Sequence, residues 1–506
     1  MSKKGTTDVA IVGFGPVGAM LAGLLGRRGL QVTVVERELD VYALPRAAHI
    51  DHTGLRALQE LGCLEQVLPS MIPNPGLDFA TADDHLLFRL PSGRLSISGL
   101  PASMYFHQPG FDRAMRAAVS ALPNVEVYLG TEMTAFTPGQ EGVEIKTRSR
   151  SGVEHTLAAR WLIGCDGAWS PVREGVGIRL QDLGFEEQWL VVDLLLKRPV
   201  ERLPQHAIHY CDPARPHTAI PMPNQRYRFE LMVMPEDDRA EIQTPEAVFR
   251  ILTRHLPAGA AKIERAAVYT FHGLLAERFR SDRVLLAGDA AHQMPPFLGQ
   301  GMCSGIRDAT NLAWKLDAVI TRQAPVALLD TYGDERRPHV GAIIRAAVEF
   351  GRVICMTDPQ AAAERDRRIL ANGDSPAKRA PFFLPQLKPG PLVRSGGGTL
   401  FPQPVVAGAA ERLDDAIGQR FLVLARRAGD LGQASGWWAV AVGALVATAD
   451  QLGPFEASLI RWLDRHGADV AVVRPDRYVM ATGHDLDQIT EDVRDLLAAK
   501  TSRAPV

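Results

Sequence analysis

The sequence predicts an α/β protein: a parallel-sheet domain interrupted by an inserted antiparallel sheet and followed by a small C-terminal α/β unit. Three observations lead there. A strand–glycine turn–helix–strand unit occupies Asp8 to Arg37, DVAIVGFGPVGAMLAGLLGRRGLQVTVVER. Long alternating segments run from about Glu187 to Phe271. A Pro/Gly-rich stretch, Pro381 to Pro404, precedes a second run of strand and helix patterns. The expected division is a discontinuous domain at 1–180 and 275–380, with 70–105 partly contributing to the inserted sheet, an insert at 181–274, and a C-terminal domain at 400–506.

In the first unit, Val9 to Val12 reads as a buried strand and Pro16 to about Arg28 as an apolar helix. Val32 to Val35 reads as a second strand, ending on Glu36. Between strand and helix, Gly13, Gly15 and Gly18 form G-x-G-x-x-G. They supply the tight turn, the backbone approach to a pyrophosphate, and close helix–strand packing. The helix N-terminus then faces phosphates, and Glu36 stands where a carboxylate accepts hydrogen bonds from a ribose. A Rossmann-type dinucleotide site follows, with FAD and a nicotinamide both open.

Asp51 to Leu68 reads as a helix with Leu55, Leu58, Leu61 and Leu64 on one face. Pro69 to Pro101 is turn-rich with short strands, Pro109 to Ala121 helical, and Val125 to Leu129 a strand. Val143–Thr147 and Thr156–Ile163 read as hairpin strands leading to Gly164-Cys165-Asp166-Gly167. In the insert, WLVVDLLL, HAIHY and RYRFELMVM alternate as an antiparallel sheet with one buried face. One amphipathic helix, Pro245 to Leu256, interrupts it. Helix-rich α/β sequence returns from Arg283 to about Val353. The C-terminal unit reads as an RFLVLA strand, helices at WWAVAVGALVAT and LIRWLDRHG, DVAVV and RYVMATG strands, and a last helix.

Composition narrows the function classes. At 506 residues the chain has room for two or three domains. Lys and Arg number 56 against 58 Asp and Glu, a net charge of −2, which favours neither nucleic acid nor an anionic membrane. The five cysteines are scattered and form no C-x-x-C pair. That argues against a disulfide framework and a metal site and suits a reducing cytoplasm. The start, MSKKGTTDVA, lacks a signal-peptide apolar core. The longest apolar run, Trp437 to Thr448, is too short to span a bilayer and reads as a buried helix.

A second stretch, Asp282 to Leu316, separates FAD from a nicotinamide. Its strand Val284–Ala287 runs into Gly288-Asp289, and a helix begins near Gly299. Asp289 can accept from ribityl hydroxyls, while the N–H groups of Gly301 and Met302 can stabilise negative charge on a reduced flavin ring.

The glycine motif, Asp166-Gly167 and Gly288-Asp289 occur in the order found in the aromatic-hydroxylase family of single-component flavoprotein monooxygenases, which this chain resembles. Pro45-Arg46-Ala47, Gln108-Pro109 and Glu335-Arg336-Arg337-Pro338 extend the likeness over at least residues 8–340. YCDPARPH (Tyr210–His217), FELMVMP (Phe229–Pro235) and RPDRYVMATG (Arg474–Gly483) make it most similar to the 3-(3-hydroxyphenyl)propionate/3-hydroxycinnamate hydroxylases. Cys303 departs from the Asn that many relatives carry.

The resemblance implies that Gly13, Gly15, Gly18 and Glu36 hold the ADP half of FAD, with Arg37 stacking on or pairing with the adenosine. Arg46 and Gln108 would lie along the pyrophosphate and ribityl chain, and Asp289 would bind ribityl oxygens. Pro296, Gly301 and Met302 would border the ring, and Asp166 would serve both FAD and NADH or NADPH. With no second Rossmann unit, the nicotinamide is expected to visit transiently. The implied reaction takes electrons from NAD(P)H and one oxygen atom from O2 to hydroxylate a phenol ortho to its hydroxyl, in aromatic catabolism. The expected conversion is 3-(3-hydroxyphenyl)propanoate or 3-hydroxycinnamate to the 2,3-dihydroxy product. The C-terminal unit is implied to be thioredoxin-like; it has no cysteine, so packing or homodimerisation is its expected role.

A phenol starts near pKa ~10, so a proton acceptor near its oxygen is wanted. Asp51 and His49 are the candidates, against a helix cap for Asp51 and a packed strand-end histidine. Arg226 and Arg228 share a face of an insert strand and are candidates to clamp a substrate carboxylate or lie against the ring; surface ion pairs are the alternative. Tyr210 and His209 are further candidates on that sheet. Other readings are a hydroxylase of another phenol (polyketide, resorcinol or xenobiotic ring), a non-catalytic flavin-binding protein, and a plain nicotinamide dehydrogenase.

Overall fold

The strand Thr7–Val12 lies inside an eight-stranded sheet in the computed structural model of the chain, which describes residues 7–43, 45–93, 95–372, 384–409 and 411–498. The first six residues, the start of the Pro/Gly-rich stretch and the end of the C-terminal unit fall outside the described residues. Val9, Ala10 and Ile11 are at most 1% exposed, as expected of a strand covered on both faces. Val32–Glu36 and Glu154–Gly164 flank it in parallel, with Val125–Leu129 and Val284–Leu286 outside them. Five helices position the site: α1 (Pro16–Arg27), α2 (His52–Leu61), α3 (Gln108–Ser120), α4 (Gly301–Thr321) and α5 (Asp330–Ile354).

Two helix expectations change at glycine. The pattern read from Asp51 to Leu68 breaks at Gly62, whose φ of +83° ends α2 in a left-handed cap. The helix expected near Gly299 begins at Gly301, because Gly299 closes the short turn Pro296–Leu298 at φ +62°.

The inserted sheet also has eight strands. Its centre is the antiparallel pair Leu180–Leu196 and Ala261–Ala276. Arg226–Met232, His217–Met222 and Ala207–Tyr210 continue it, and Gly76–Ala80 and Leu86–Pro91 close the far side. Alternation assigns the faces. Leu190, Val192 and Leu194 pack with Val248, Leu252 and Leu256 in a core of their own. Val191, Thr218, Arg228 and Glu230 point the other way, into a cavity.

The C-terminal sheet orders as Leu445–Thr448, Leu422–Ala425, Val470–Val473 and Val479–Gly483; the first pair is parallel and the others antiparallel, a thioredoxin-like arrangement. The helix expected over Trp437–Thr448 is corrected. It ends at Gly443 (φ +69°), and Leu445–Thr448 pairs as a strand with Leu422–Ala425. The unit docks through buried charge. Arg474 donates to both Glu335 oxygens at 2.8 Å, and Lys315 donates to Glu335 at 2.9 Å. Arg56 is paired to Asp414 at 2.5 Å. Among the described residues no helix is long and apolar enough to cross a membrane.

Candidate active site

One cavity of about 1760 Å³ connects the glycine turn, the Gly288-Asp289 segment and the underside of the inserted sheet. At one end, a Cβ on Gly15 would meet nothing within 4 Å, and the N-terminus of α1 has no side-chain cap. The neighbouring glycines are closed in: a Cβ on Gly13 would stand 2.3 Å from the Cys165 carbonyl oxygen, and one on Gly18 2.0 Å from that of Gly13. Strand and helix therefore pack as tightly as glycine allows, and only Gly15 faces open space, where a phosphate can approach free N–H groups.

Along the same wall, Asp166 accepts from the Val172 N–H at 3.0 Å through one oxygen. The other oxygen is buried without a partner, and burial raises the pKa of the carboxyl. Asp289 is exposed and lines the cavity, and the protein packed around it likewise pushes its pKa up. Both carboxyls have acceptor capacity that a ligand hydroxyl can fill.

The loop bordering the far end of the cavity is pinned by two neutral histidines. His49 Nδ1 lies 3.1 Å from the Gly299 carbonyl, and Nε2 lies 2.6 Å from Ser103 Oγ. A carbonyl only accepts, so Nδ1 carries the proton and Nε2 receives the Ser103 hydroxyl. Ser103 Oγ in turn accepts from Asn74 Nδ2 at 2.8 Å. His209 works the same way on the next turn. Its Nε2 donates to the Phe297 carbonyl at 2.9 Å and its Nδ1 accepts from Thr218 at 2.7 Å. Burial lowers both pKa values, that of His209 to about 4. Pro296, Gly301 and Met302 all line the cavity beside this loop.

The glycine cradle, the partnerless carboxylate oxygen and the polar wall fit a dinucleotide. Residues 6–347 match the family described as FAD binding domain. The chain belongs to that FAD-binding family. Residues 398–498 match the HcaD C-terminal domain. A "Probable NADH-specific resorcinol 4-hydroxylase" of Rhodococcus jostii is 35% identical, over 97% of this chain and 95% of its own. A 3-(3-hydroxy-phenyl)propionate/3-hydroxycinnamic acid hydroxylase of Shigella sonnei is 36% identical, over 94% and 92%. The solved structure of aklavinone-11 hydroxylase with FAD and aklavinone shares the fold at a TM-score of 0.80 and 22% identity, covering 97% of this chain and 99% of that one. The chain is thus an FAD-dependent aromatic monooxygenase.

In this FAD-binding family member, several side chains named from the sequence serve to shape the site. Glu36 accepts from the Phe14 N–H at 2.7 Å and the Glu38 N–H at 2.9 Å, holding the glycine loop to the second strand. Gln108 Oε1 accepts from the Arg46 and Ala47 N–H groups at 2.7 and 2.8 Å, fixing the segment that carries Arg46 into the cavity. Arg46 lies 4.7 Å over the Tyr42 ring. Arg37 also lines the cavity, with its side chain 72% exposed.

The catalytic expectations need correction. Asp51 is not placed to act as a base. One oxygen caps α2, accepting from Thr53 N, Gly54 N and Thr53 Oγ1, and the other pairs with the buried Arg307 at 2.7 Å. Burial alone would raise its pKa, but that guanidinium together with His52, the Thr53 hydrogen bond and His49 holds the carboxyl far below the ordinary range. His49 is not a free base either, since the Ser103 hydroxyl fills its lone pair. Arg228 is 1% exposed and ties down the Pro45 and Arg46 carbonyls and Asp193, so it cannot clamp a substrate carboxylate. Arg226 pairs with Glu264 at 2.8 Å away from the cavity. Tyr210 stacks on His217 with centroids 4.5 Å apart, on the core face of the sheet.

Three residues escaped the sequence reading. Glu230 lines the cavity, is 6% exposed, and has its pKa raised by burial, with Arg228 3.8 Å away. The period-two argument that paired Arg226 with Arg228 reaches Glu230 one step further. Arg307 and Tyr478 lie in stretches singled out for their likeness to the family, but no local pattern marked either side chain, because Asp51 and the cavity wall beside them come from elements far away in sequence.

Proposed function

We propose that the enzyme uses NADH to hydroxylate a phenol of the hydroxyphenylpropanoate or hydroxycinnamate class, with the ring seated under the inserted sheet. The observation that supports this most is the single cavity joining Gly15, Asp289, the Pro296–Met302 loop and Glu230. Bound FAD supplies hydride acceptance from the nicotinamide and O2 activation, placing one oxygen atom on the ring and releasing the other as water. The proposed division of labour has 1–180 and 275–380 holding FAD, 181–274 with part of 70–105 roofing the substrate, and 400–506 closing the open side.

The protein's own residues do the rest. The α1 N-terminus and Gly15 receive the pyrophosphate, and Asp289 and Asp166 accept from cofactor hydroxyls. His49 and His209 keep the ring-flanking loop rigid, which leaves the Gly301 and Met302 N–H groups aimed at developing negative charge. Glu230 takes the phenol proton. Its raised pKa brings it toward that of the phenol, while Asp51 and Asp193, also deeply buried, are already tied to Arg307 and to Arg228 and Arg265.

A second reading, resorcinol or another uncharged phenol, is favoured by the pairing of Arg226 and Arg228. Neither is free to meet a substrate carboxylate. Both readings are tested by NADH and NADPH oxidation across a phenol panel, with O2 uptake and mass detection of the product. Phenol-dependent O2 uptake with a product heavier by one oxygen is expected; a purified protein that does not retain FAD overturns both.

A further inference from the structure

The RPDRYVMATG segment lies in the C-terminal unit, far in sequence from every FAD motif, yet it reaches the cavity. Arg474 to Tyr478 form a tight turn: the Arg477 N–H donates to the Arg474 carbonyl and the Arg474 N–H to the Tyr478 carbonyl, both at 2.9 Å. Arg477 sits at φ +65°, a conformation that disfavours a side chain and persists where the surroundings over-determine it. Here they do. Arg477 pairs with Asp414 at 3.3 Å and donates to the Gly418 and Arg420 carbonyls. Arg474 and Asp476 are anchored on α4 and α5 through Glu335 and Asn311.

The product of this bracing is the placement of Tyr478. Its N–H side is tied to Asp476, and its backbone bridges Leu400. The side chain is 6% exposed and lines the cavity together with Gln386, Thr399 and Leu400 of the same region and His52 and Ile97 from the first domain. The two sides are laced together, since Gln403 donates to the Ile97 and Ser98 carbonyls at 2.8 and 2.7 Å. Tyr478 Oη is buried and has no hydrogen-bond partner among the described residues. A partnerless buried hydroxyl costs about 1–3 kcal/mol, so one held just behind the wall of a ligand cavity, on a braced residue that lines it, points to a ligand atom as its partner. Arg307, Arg336, Arg474 and Asp476 are the charged groups around it. Burial keeps the phenol protonated, so it donates.

We propose that Tyr478 reads the side chain of the aromatic substrate: its hydroxyl donates to an acceptor oxygen, carboxylate or carbonyl, at the end of that chain. The C-terminal unit is then part of the specificity site. This rests on the phenol-hydroxylase reading above and names the feature that separates hydroxyphenylpropanoate-like rings from plain phenols.

The test uses the FAD-loaded enzyme and Tyr478→Phe, which removes one oxygen and keeps the ring volume. Three probes are titrated, with affinity read from perturbation of the flavin absorbance: 3-(3-hydroxyphenyl)propanoate, its primary amide, and 3-propylphenol, which has a tail of similar length without an acceptor. The wild type is expected to prefer an acceptor-tailed probe, and Tyr478→Phe to lose about tenfold of that preference. Tighter binding of the acid than the amide in the wild type would assign a carboxylate, and the reverse a carbonyl. An equal preference in wild type and variant, or no probe perturbing the flavin, overturns the proposal. If the acceptor-tailed probes bind through Tyr478 but no phenol is hydroxylated, the functional reading fails and the tyrosine's role stands. If phenols are hydroxylated with no preference for an acceptor, the reverse holds.

Discussion

Asp51 and Arg307 form a 2.7 Å ion pair, each at most 8% exposed in its side chain, that ties the N-terminus of α2 to the second turn of α4. Arg307 also holds Gln300 Oε1 at 2.6 Å and Ser304 Oγ at 3.1 Å. The pair therefore braces the start of the helix whose Gly301 and Met302 line the cavity.

Removing one partner strands the other charge. Asp51→Ala is expected to destabilise the fold by about 3–5 kcal/mol and to lower FAD retention, measured by denaturant unfolding and flavin content. Asp51→Asn keeps a capping side chain. Whatever activity it retains should show the same pH dependence as the wild type, because Asp51 titrates far below the working range. A lost limb in its kcat–pH profile would restore Asp51 as a base.

Glu230→Gln is expected to lower kcat about 100-fold with little change in FAD content. The sign follows from the raised pKa. Glu230 accepts a proton only once ionised, so wild-type activity rises with pH through its pKa. That limb should vanish in the variant, whereas a purely structural role would leave the profile's shape intact.

The glycine turn separates folding from binding. Gly15→Ala adds a methyl into open space, so the apoprotein should melt as the wild type does while FAD affinity falls about tenfold or more, read by flavin titration. Gly18→Ala forces a methyl to 2.0 Å from the Gly13 carbonyl oxygen and should cost about 1–3 kcal/mol even without cofactor.

Acid should weaken the insert first. His217 and His255 meet Nε2 to Nε2 at 2.9 Å beside Tyr210, with Arg254, Arg202, Arg215 and Asp84 nearby. Burial, joined for His255 by its partner, lowers both pKa values from 6.5 to about 4. The unfolded chain takes up protons that the fold refuses. Stability is then full above pH 6.5 and is lost as pH falls toward 4, by about 3 kcal/mol per histidine at most. Circular dichroism melts between pH 7 and 4 should show this slope, and His255→Gln should flatten it.

Much of the geometry at the glycine-lined end of the cavity was legible because its constraints are local. Gly13, Gly15 and Gly18 sit within one turn, and Gly288-Asp289 follows directly on its strand. The insert side of the cavity was misread for the opposite reason. Arg228 looked free along its own strand, but its partners, Asp193 and the carbonyls of Pro45 and Arg46, come from two other parts of the chain. Trp437–Thr448 looked helical because a continuous apolar run carries no period. Gly443 and the parallel neighbour Leu422–Ala425 made its second half a strand.

By itself the sequence determined the FAD-binding α/β architecture, its interruption by an antiparallel sheet, and the glycine and Gly288-Asp289 turns that line the cavity, since short-range glycine spacing and strand periodicity encode each of these. Tertiary structure alone decided which polar groups are spent and which are free. Asp51 and Arg228 are saturated by residues far away in the chain, whereas Glu230 lines the cavity and the hydroxyl of the cavity-lining Tyr478 is left without a partner among the described residues. A hydrogen bond is satisfied by proximity in space, and strand and helix periodicity carry no record of which distant segment arrives to satisfy it.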